Sequence, residues 1–200
     1  MKNAALTPLP KSTKYGYYYL LSESEGVISI EPTTYGYVKS VLFQLVGWDK
    51  YILTEDELLL RYIENVISAR GGVLCKYKIV PAGVAGKVVD LMTLNQAEEF
   101  LGRAENVICI LDGDQRAYRW VRNNEKVLVT PFEDVEEDLF AMKVNGELEF
   151  DFACSNHKEF YSEVIRRGCM SELEIFSLLN GRQTEGVGEL QNTLMEFLNN

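Results

Sequence analysis

The segment Asn106-Val107-Ile108-Cys109-Ile110-Leu111-Asp112-Gly113-Asp114-Gln115 decides how this chain is read. Its apolar run Val107 to Leu111, rich in β-branched residues, has the pattern of a strand covered on both faces, as in the middle of a parallel sheet. The run stops at two aspartates separated by one glycine. Side chains two apart in a strand point the same way, and the chain turns at a strand's carboxyl end, so Asp112 and Asp114 can converge. Two such carboxylates repel each other unless a proton or a cation lies between them. Mg²⁺ suits that place, being a hard ion held through oxygen ligands while keeping several waters. Asp and Gly also favour turns, so a plain polar turn is the competing reading, and the rest of the chain has to decide.

The same pattern of strand, acids and helix occurs on either side. Lys50 to Thr54 reads as a short strand, followed at once by Glu55, Asp56 and Glu57 and by a helical spacing of Leu58, Leu59, Tyr62, Ile63, Val66 and Ile67. Acids at a helix start also satisfy the helix dipole. Gly71-Gly72 ends that helix, and Val73 to Val80 reads as the next strand. The segment Pro81-Ala82-Gly83-Val84-Ala85-Gly86-Lys87 fails the Walker test, with Pro81 where glycine is needed and Val88 after the lysine. Its glycines are read as a tight turn into a helix over 88–94, with Lys87 at the edge of the site, and Asn95 as the cap of a further helix to Leu101. After Asp114, Arg116, Arg119 and Arg122 recur at intervals of three. That basic face could meet a phosphate backbone or offset local acids, and the second use is the favoured one. Lys126 to Thr130 is a third strand leading into acids, here Glu133, Asp134, Glu136, Glu137 and Asp138 at the head of another helix.

The flanks differ in character. Residues 1–14 carry Pro8 and Pro10 and read as an irregular lead. Tyr15 to Leu21 and Gly26 to Ile30 read as an N-terminal β-hairpin, and Thr33-Thr34 as the cap of a helix ending near Gly47. Beyond residue 142, Asn145-Gly146 reads as a tight turn, residues 156–167 and 171–180 as helices, Gly181 to Gly188 as a loop, and Glu189 to Leu198 as a last helix. The expected fold class is therefore α/β: a mostly parallel sheet flanked by helices, with an N-terminal hairpin and a C-terminal helical extension. The division is 1–47, 48–142 and 143–200.

A 46% hydrophobic, 25% charged composition fits a globular chain and excludes general disorder. No apolar run approaches a membrane span and residues 1–14 lack the core of a secretory signal, so no membrane association and a cytoplasmic location are expected. Cys75, Cys109, Cys154 and Cys169 are scattered without a metal-ligand spacing. With His157 the single histidine, a nucleophile and histidine apparatus is not expected. The net charge of −10 speaks against a stand-alone, high-affinity nucleic-acid binder, although not against a nuclease whose acids hold metal.

In a parallel sheet with right-handed crossovers the carboxyl ends of the strands share one edge, so acids delivered by separate strands can meet there. In this order, Ile52-Leu53-Thr54-Glu55, the strand and glycine turn Ile79 to Gly86, and Ile110-Leu111-Asp112-Gly113-Asp114 resemble the Toprim domain. That is the Mg²⁺-dependent module of type IA and type II topoisomerases, bacterial primases and the overcoming-lysogenization-defect (OLD) family of nucleases. Pro131-Phe132 through Val135-Glu136-Glu137-Asp138-Leu139 is similar to the later acidic helix start of OLD-type and related ATPase-associated nucleases. The resemblance spans residues 48–142. It implies Glu55 as a metal ligand or general acid/base, Asp112 and Asp114 as ligands of the catalytic Mg²⁺ or Mn²⁺, and Glu136, or else Glu133, at a second metal. Asp56 departs from the glycine the family often carries there, and with Glu57 it is a further candidate ligand. Lys87, Arg116 and Arg119 are candidates to contact the nucleic-acid strand, with Lys87 also a candidate catalytic residue.

The expected function is a Mg²⁺-dependent nuclease or nickase acting on nucleic-acid phosphodiesters, DNA before RNA, with a partner ATPase subunit in an antiviral or repair setting and room for an oligomer. The alternative is a non-catalytic Toprim-like interaction module. A phosphoacceptor domain of the response-regulator kind would use similar acids but in a different order along the sheet.

Overall fold

The computed structural model describes residues 18–24, 27–33, 47–150 and 152–200. Strands β1 (Tyr18–Ser24) and β2 (Val27–Thr33) pair antiparallel, from Tyr18↔Thr33 to Ser24↔Val27, so the expected hairpin forms with its strands displaced toward the C-terminus. The irregular lead over 1–14 and the helix expected to end near Gly47 lie outside the described residues.

The second sheet holds β3 (Lys50–Thr54), β4 (Tyr77–Pro81), β5 (Val107–Leu111) and β6 (Val127–Val129) in the order β4-β3-β5-β6, and every pair in it is parallel. β5 is buried at each of its positions, as an apolar run with no alternation requires of a strand covered on both faces. Helix α1 (Glu57–Arg70) connects β3 to β4 and α2 (Ala85–Glu98) connects β4 to β5. A 3-10 turn (Gly113–Ala117) and the short α3 (Arg119–Arg122) lead from β5 to β6. After β6 come α4 (Val135–Val144), α5 (His157–Arg166), α6 (Glu172–Arg182) and α7 (Thr184–Asn199). No helix among the described residues is long and apolar enough to cross a membrane.

Alternation along the strands sorts side chains into a separate core on each face. Tyr51, Leu53, Val107, Cys109 and Leu111 pack under α2 through Ala85, Val88 and Met92. Ile52, Ile79, Ile108 and Ile110 face the larger core, built with α1, α4 and the C-terminal helices through Tyr62, Leu139, Phe160, Phe176 and Leu194. The C-terminal helices thus share one continuous core with the sheet. They close one of its faces.

Several element boundaries differ from the sequence reading, each for a visible reason. Asn95 does not start a helix: α2 runs through it to Glu98, and the buried Asn95 side chain ties down the loop that follows. Its amide nitrogen donates to Gly102 O (3.0 Å) and its oxygen accepts from Leu101 N (2.8 Å). Asn145-Gly146 makes the expected tight turn, and it does so as the end of α4, with Gly146 at φ +75° and Glu147 N returning to Met142 O (2.9 Å). The expected 181–188 loop is replaced by the end of α6 and the first turns of α7, which carry Gly186 against the Pro131 ring. Close packing there outweighs the poor helix propensity of glycine.

Candidate functional site

Where the strand order reverses, an α/β sheet opens a crevice at the carboxyl ends of its strands. Here β3 hands the chain outward to β4 over one face, and its neighbour β5 hands it the other way to β6. Glu55 is the first residue past β3 and Asp112 the first past β5, so both stand at that crevice. Glu55 spans it: one carboxylate oxygen accepts from Asp112 N (3.1 Å) and the other from Ala85 N (3.0 Å), the first residue of α2. One side chain thereby joins the ends of β3 and β5 to the head of a helix. Each oxygen keeps a further lone pair for a ligand.

Gly113 explains the middle of the Asp-Gly-Asp motif. A Cβ there would lie 1.9 Å from Phe132 O and 2.9 Å from Thr130 O, so only glycine lets the backbone after β5 lie against the segment after β6. Asp114 N donates to Glu133 O (3.1 Å) and Thr130 N to Leu111 O (2.9 Å), fastening the two segments together. That contact brings the acids of 133–138 to the acids of 112–114.

The electrostatics follow from this packing. Asp112 is driven up to about 8, first by burial and then by the charges of Asp134, Glu55, Asp56 and Asp114. Glu55 is also raised, by burial, against the lowering effect of its two backbone hydrogen bonds, with Asp114 and Asp56 adding repulsion. Glu136 is raised by burial and by Asp134, with Lys158 and His157 partly offsetting it. The Thr54 hydroxyl, fully buried one residue before Glu55, has no protein partner.

Some expected site residues have structural tasks. Asp56 is the N-cap of α1, its side chain accepting from Leu59 N (2.9 Å). Asp134 caps α4 by accepting from Glu136 N (2.6 Å) and Glu137 N (3.0 Å), while Asp138 accepts from Glu133 N (2.8 Å). Glu133 itself is exposed, whereas Glu136 is half-buried and within the field of the other acids. Asp114 is exposed and receives the Gln115 side-chain amide (2.9 Å). Lys87 lies exposed in the first turn of α2, two residues past the amide that Glu55 accepts. Arg116 donates to Thr130 O (2.7 Å) and lines a cavity of about 370 Å³ beside β6 with Pro131, Gly186 and Glu189. Arg119 is exposed in α3 and enters no ion pair among the described residues, so local acids do not use it up. Arg166 and Arg167 are both engaged by Glu163 and are not free for a substrate.

The sequence reading places Asp134 in the acid cluster after β6 but does not single it out as a site residue, although it is the foremost charge acting on Asp112. Its signal was its place immediately before Val135, the N-cap position, which sets a carboxylate at the very end of the segment after β6.

An all-oxygen donor set of mutually repelling carboxylates fits a hard divalent ion, which would relieve the repulsion centred on Asp112. Among the described residues, no three His, Cys, Asp or Glu side chains stand close enough together to enclose an ion as they are placed. Glu55, Asp112, Asp114, Asp134 and Glu136 are the residues that would contribute. Comparison of the chain with protein-family models, with curated proteins and with solved structures finds no match.

Proposed function

We propose that the acid edge of the parallel sheet is the centre of a Mg²⁺- or Mn²⁺-dependent nuclease of the Toprim type, acting on nucleic-acid phosphodiesters. The observation that carries the reading is Asp112, placed at the carboxyl end of β5 beside Glu55 and raised to about 8 by burial and by Asp134, Glu55, Asp56 and Asp114. Strained carboxylates of that kind gather at functional sites. The Toprim reading also draws on the order of Glu55, Asp112-Gly113-Asp114 and the later Glu136 along the chain.

In this mechanism Asp112 and Asp114 would hold the ion and Glu136 and Asp134 would border a second one, while Glu55 ties the ends of β3 and β5 together through Asp112 N. A bound divalent ion supplies Lewis-acid polarisation of the phosphoryl oxygens and a water of lowered pKa. Glu55, raised by its burial, is the group placed to take a proton from an attacking water. Lys87, exposed in the first turn of the helix whose first amide donates to Glu55, is the cation available to the scissile phosphate. The partner ATPase belongs to this proposal as the unit that would present the substrate.

Nicking of supercoiled plasmid by the purified chain with Mg²⁺ or Mn²⁺ tests the proposal. Cleavage should vanish in EDTA and fall at least about 100-fold in Asp112→Asn, since a lost metal ligand forfeits several kcal/mol of transition-state stabilisation. A folded protein that cleaves neither DNA nor RNA with either metal would overturn the stand-alone nuclease and favour the interaction module.

A further inference from the structure

The 3-10 turn that leaves Asp112 ends in a surface the nuclease chemistry does not use. Tyr118 and Trp120 lie ring on ring, with centroids 4.6 Å apart and an interplanar angle of 1°. Both are exposed, Tyr118 by 48% and Trp120 by 37%. Residues two apart do not meet within a helix, but Tyr118 is the extended cap of α3 (φ −73°, ψ 147°), which lets its ring come alongside Trp120. The pair is held from below: Tyr118 N donates to Gln115 O (3.0 Å), Val121 N to Tyr118 O (3.2 Å), and Val121 packs against the core under α2. The two rings stack on each other while both residues stay exposed to solvent.

The charge around this pair is opposite to that of the rest of the molecule. From Gln115 to Lys126 the chain carries Arg116, Arg119, Arg122 and Lys126 against the single acid Glu125, in a protein of net charge −10. Arg116 and Lys126 are spent on the carbonyls of Thr130 and Ala104. Arg119 and Arg122 are exposed and form no ion pair among the described residues. Aromatic planes for bases, with guanidinium groups for the phosphates between them, are the elements of a single-strand platform. A duplex offers no open base face to such a pair. The turn Gly113–Ala117, at about 2 Å rise per residue, sets the platform roughly 10 Å from Asp112, so one strand could touch both.

We infer that Tyr118 and Trp120, with Arg119 and Arg122, form a docking platform for single-stranded nucleic acid that feeds the strand to the acid edge. The inference takes its substrate from the nuclease reading above, but its observations are separate. Trp48 is the other of the chain's two tryptophans, so a Trp48→Phe background leaves Trp120 as the sole reporter. In EDTA and low salt, oligo(dT) and oligo(rU) titrated into that protein should quench Trp120 emission, and a blunt duplex should bind more weakly. In the otherwise native chain, followed by the anisotropy of a labelled oligonucleotide, Trp120→Ala should weaken binding about tenfold or more. Arg119→Gln with Arg122→Gln should flatten the salt dependence. Circular dichroism of each variant controls for folding. Binding of single strands by a parent chain that nicks no plasmid with Mg²⁺ or Mn²⁺ would fault the nuclease reading alone. Unquenched Trp120, or equal affinity in Trp120→Ala and in the double arginine variant, would overturn the platform whether or not the protein nicks plasmid.

Discussion

Asp112 is a carboxyl group held toward neutrality by its surroundings, and this has a consequence for stability that needs no substrate. Its ordinary value is 3.8 and its folded value about 8, so between roughly pH 4 and pH 8 the unfolded chain releases a proton that the folded chain retains. The folded state binds more protons there, so unfolding free energy falls as pH rises through that window and levels off above it. Glu55 and Glu136 are raised as well and contribute in the same direction. Asp112→Asn removes one ionisation and should therefore be more stable than the parent at pH 8 in EDTA, with the gap closing toward pH 4. About 1 kcal/mol or more, worth roughly 2–4 °C for a chain of this size, is expected from thermal unfolding at the two pH values. A gap independent of pH would mean that Asp112 ionises as an ordinary surface acid. Asp134 separates cap from charge at the same scale. Asp134→Asn keeps a side-chain oxygen for Glu136 N and Glu137 N and should hold or raise stability, whereas Asp134→Ala should lose about 1 kcal/mol in urea unfolding.

Among the elements, the parallel strands and the acids at their ends were legible because the pattern is local. An unbroken apolar run such as Val107 to Leu111, ended by Asp112, states its burial and its terminus in the same few residues. The bounds of β3 and β5 agree with the sequence reading residue for residue. What was not legible depended on partners distant in sequence. Gly186 reads as a loop residue until Pro131 is seen against it, and Asn95 reads as a helix cap until its side chain is found holding Leu101 and Gly102. Of the candidate site, the roles of Glu55 and Gly113 were hidden for the same reason: each is defined by a backbone atom contributed from another strand end. The stacking of Tyr118 on Trp120 needs the extended cap conformation that sequence spacing does not announce.

At the scale of the molecule, two cores on opposite faces of one sheet hold the acid edge in place. The larger one draws on residues from Ile52 to Leu198, so the helices after α4 are part of the scaffold of the site and not an appendage. Leu194, fully buried on α7, should cost about 2–5 kcal/mol when cut to alanine, seen as an earlier midpoint in a single cooperative unfolding transition. Two separate transitions would instead mark the C-terminal helices as independent. A nuclease built on this edge requires the strand-end acids to serve as a site for a divalent cation. Calorimetric titration of Mn²⁺ into the metal-free protein at pH 7, beside Asp112→Asn, addresses that most directly. The predicted result is saturable binding by the parent that weakens at least about tenfold in the variant. Absence of binding by the folded parent, or the same affinity in both proteins, would contradict it.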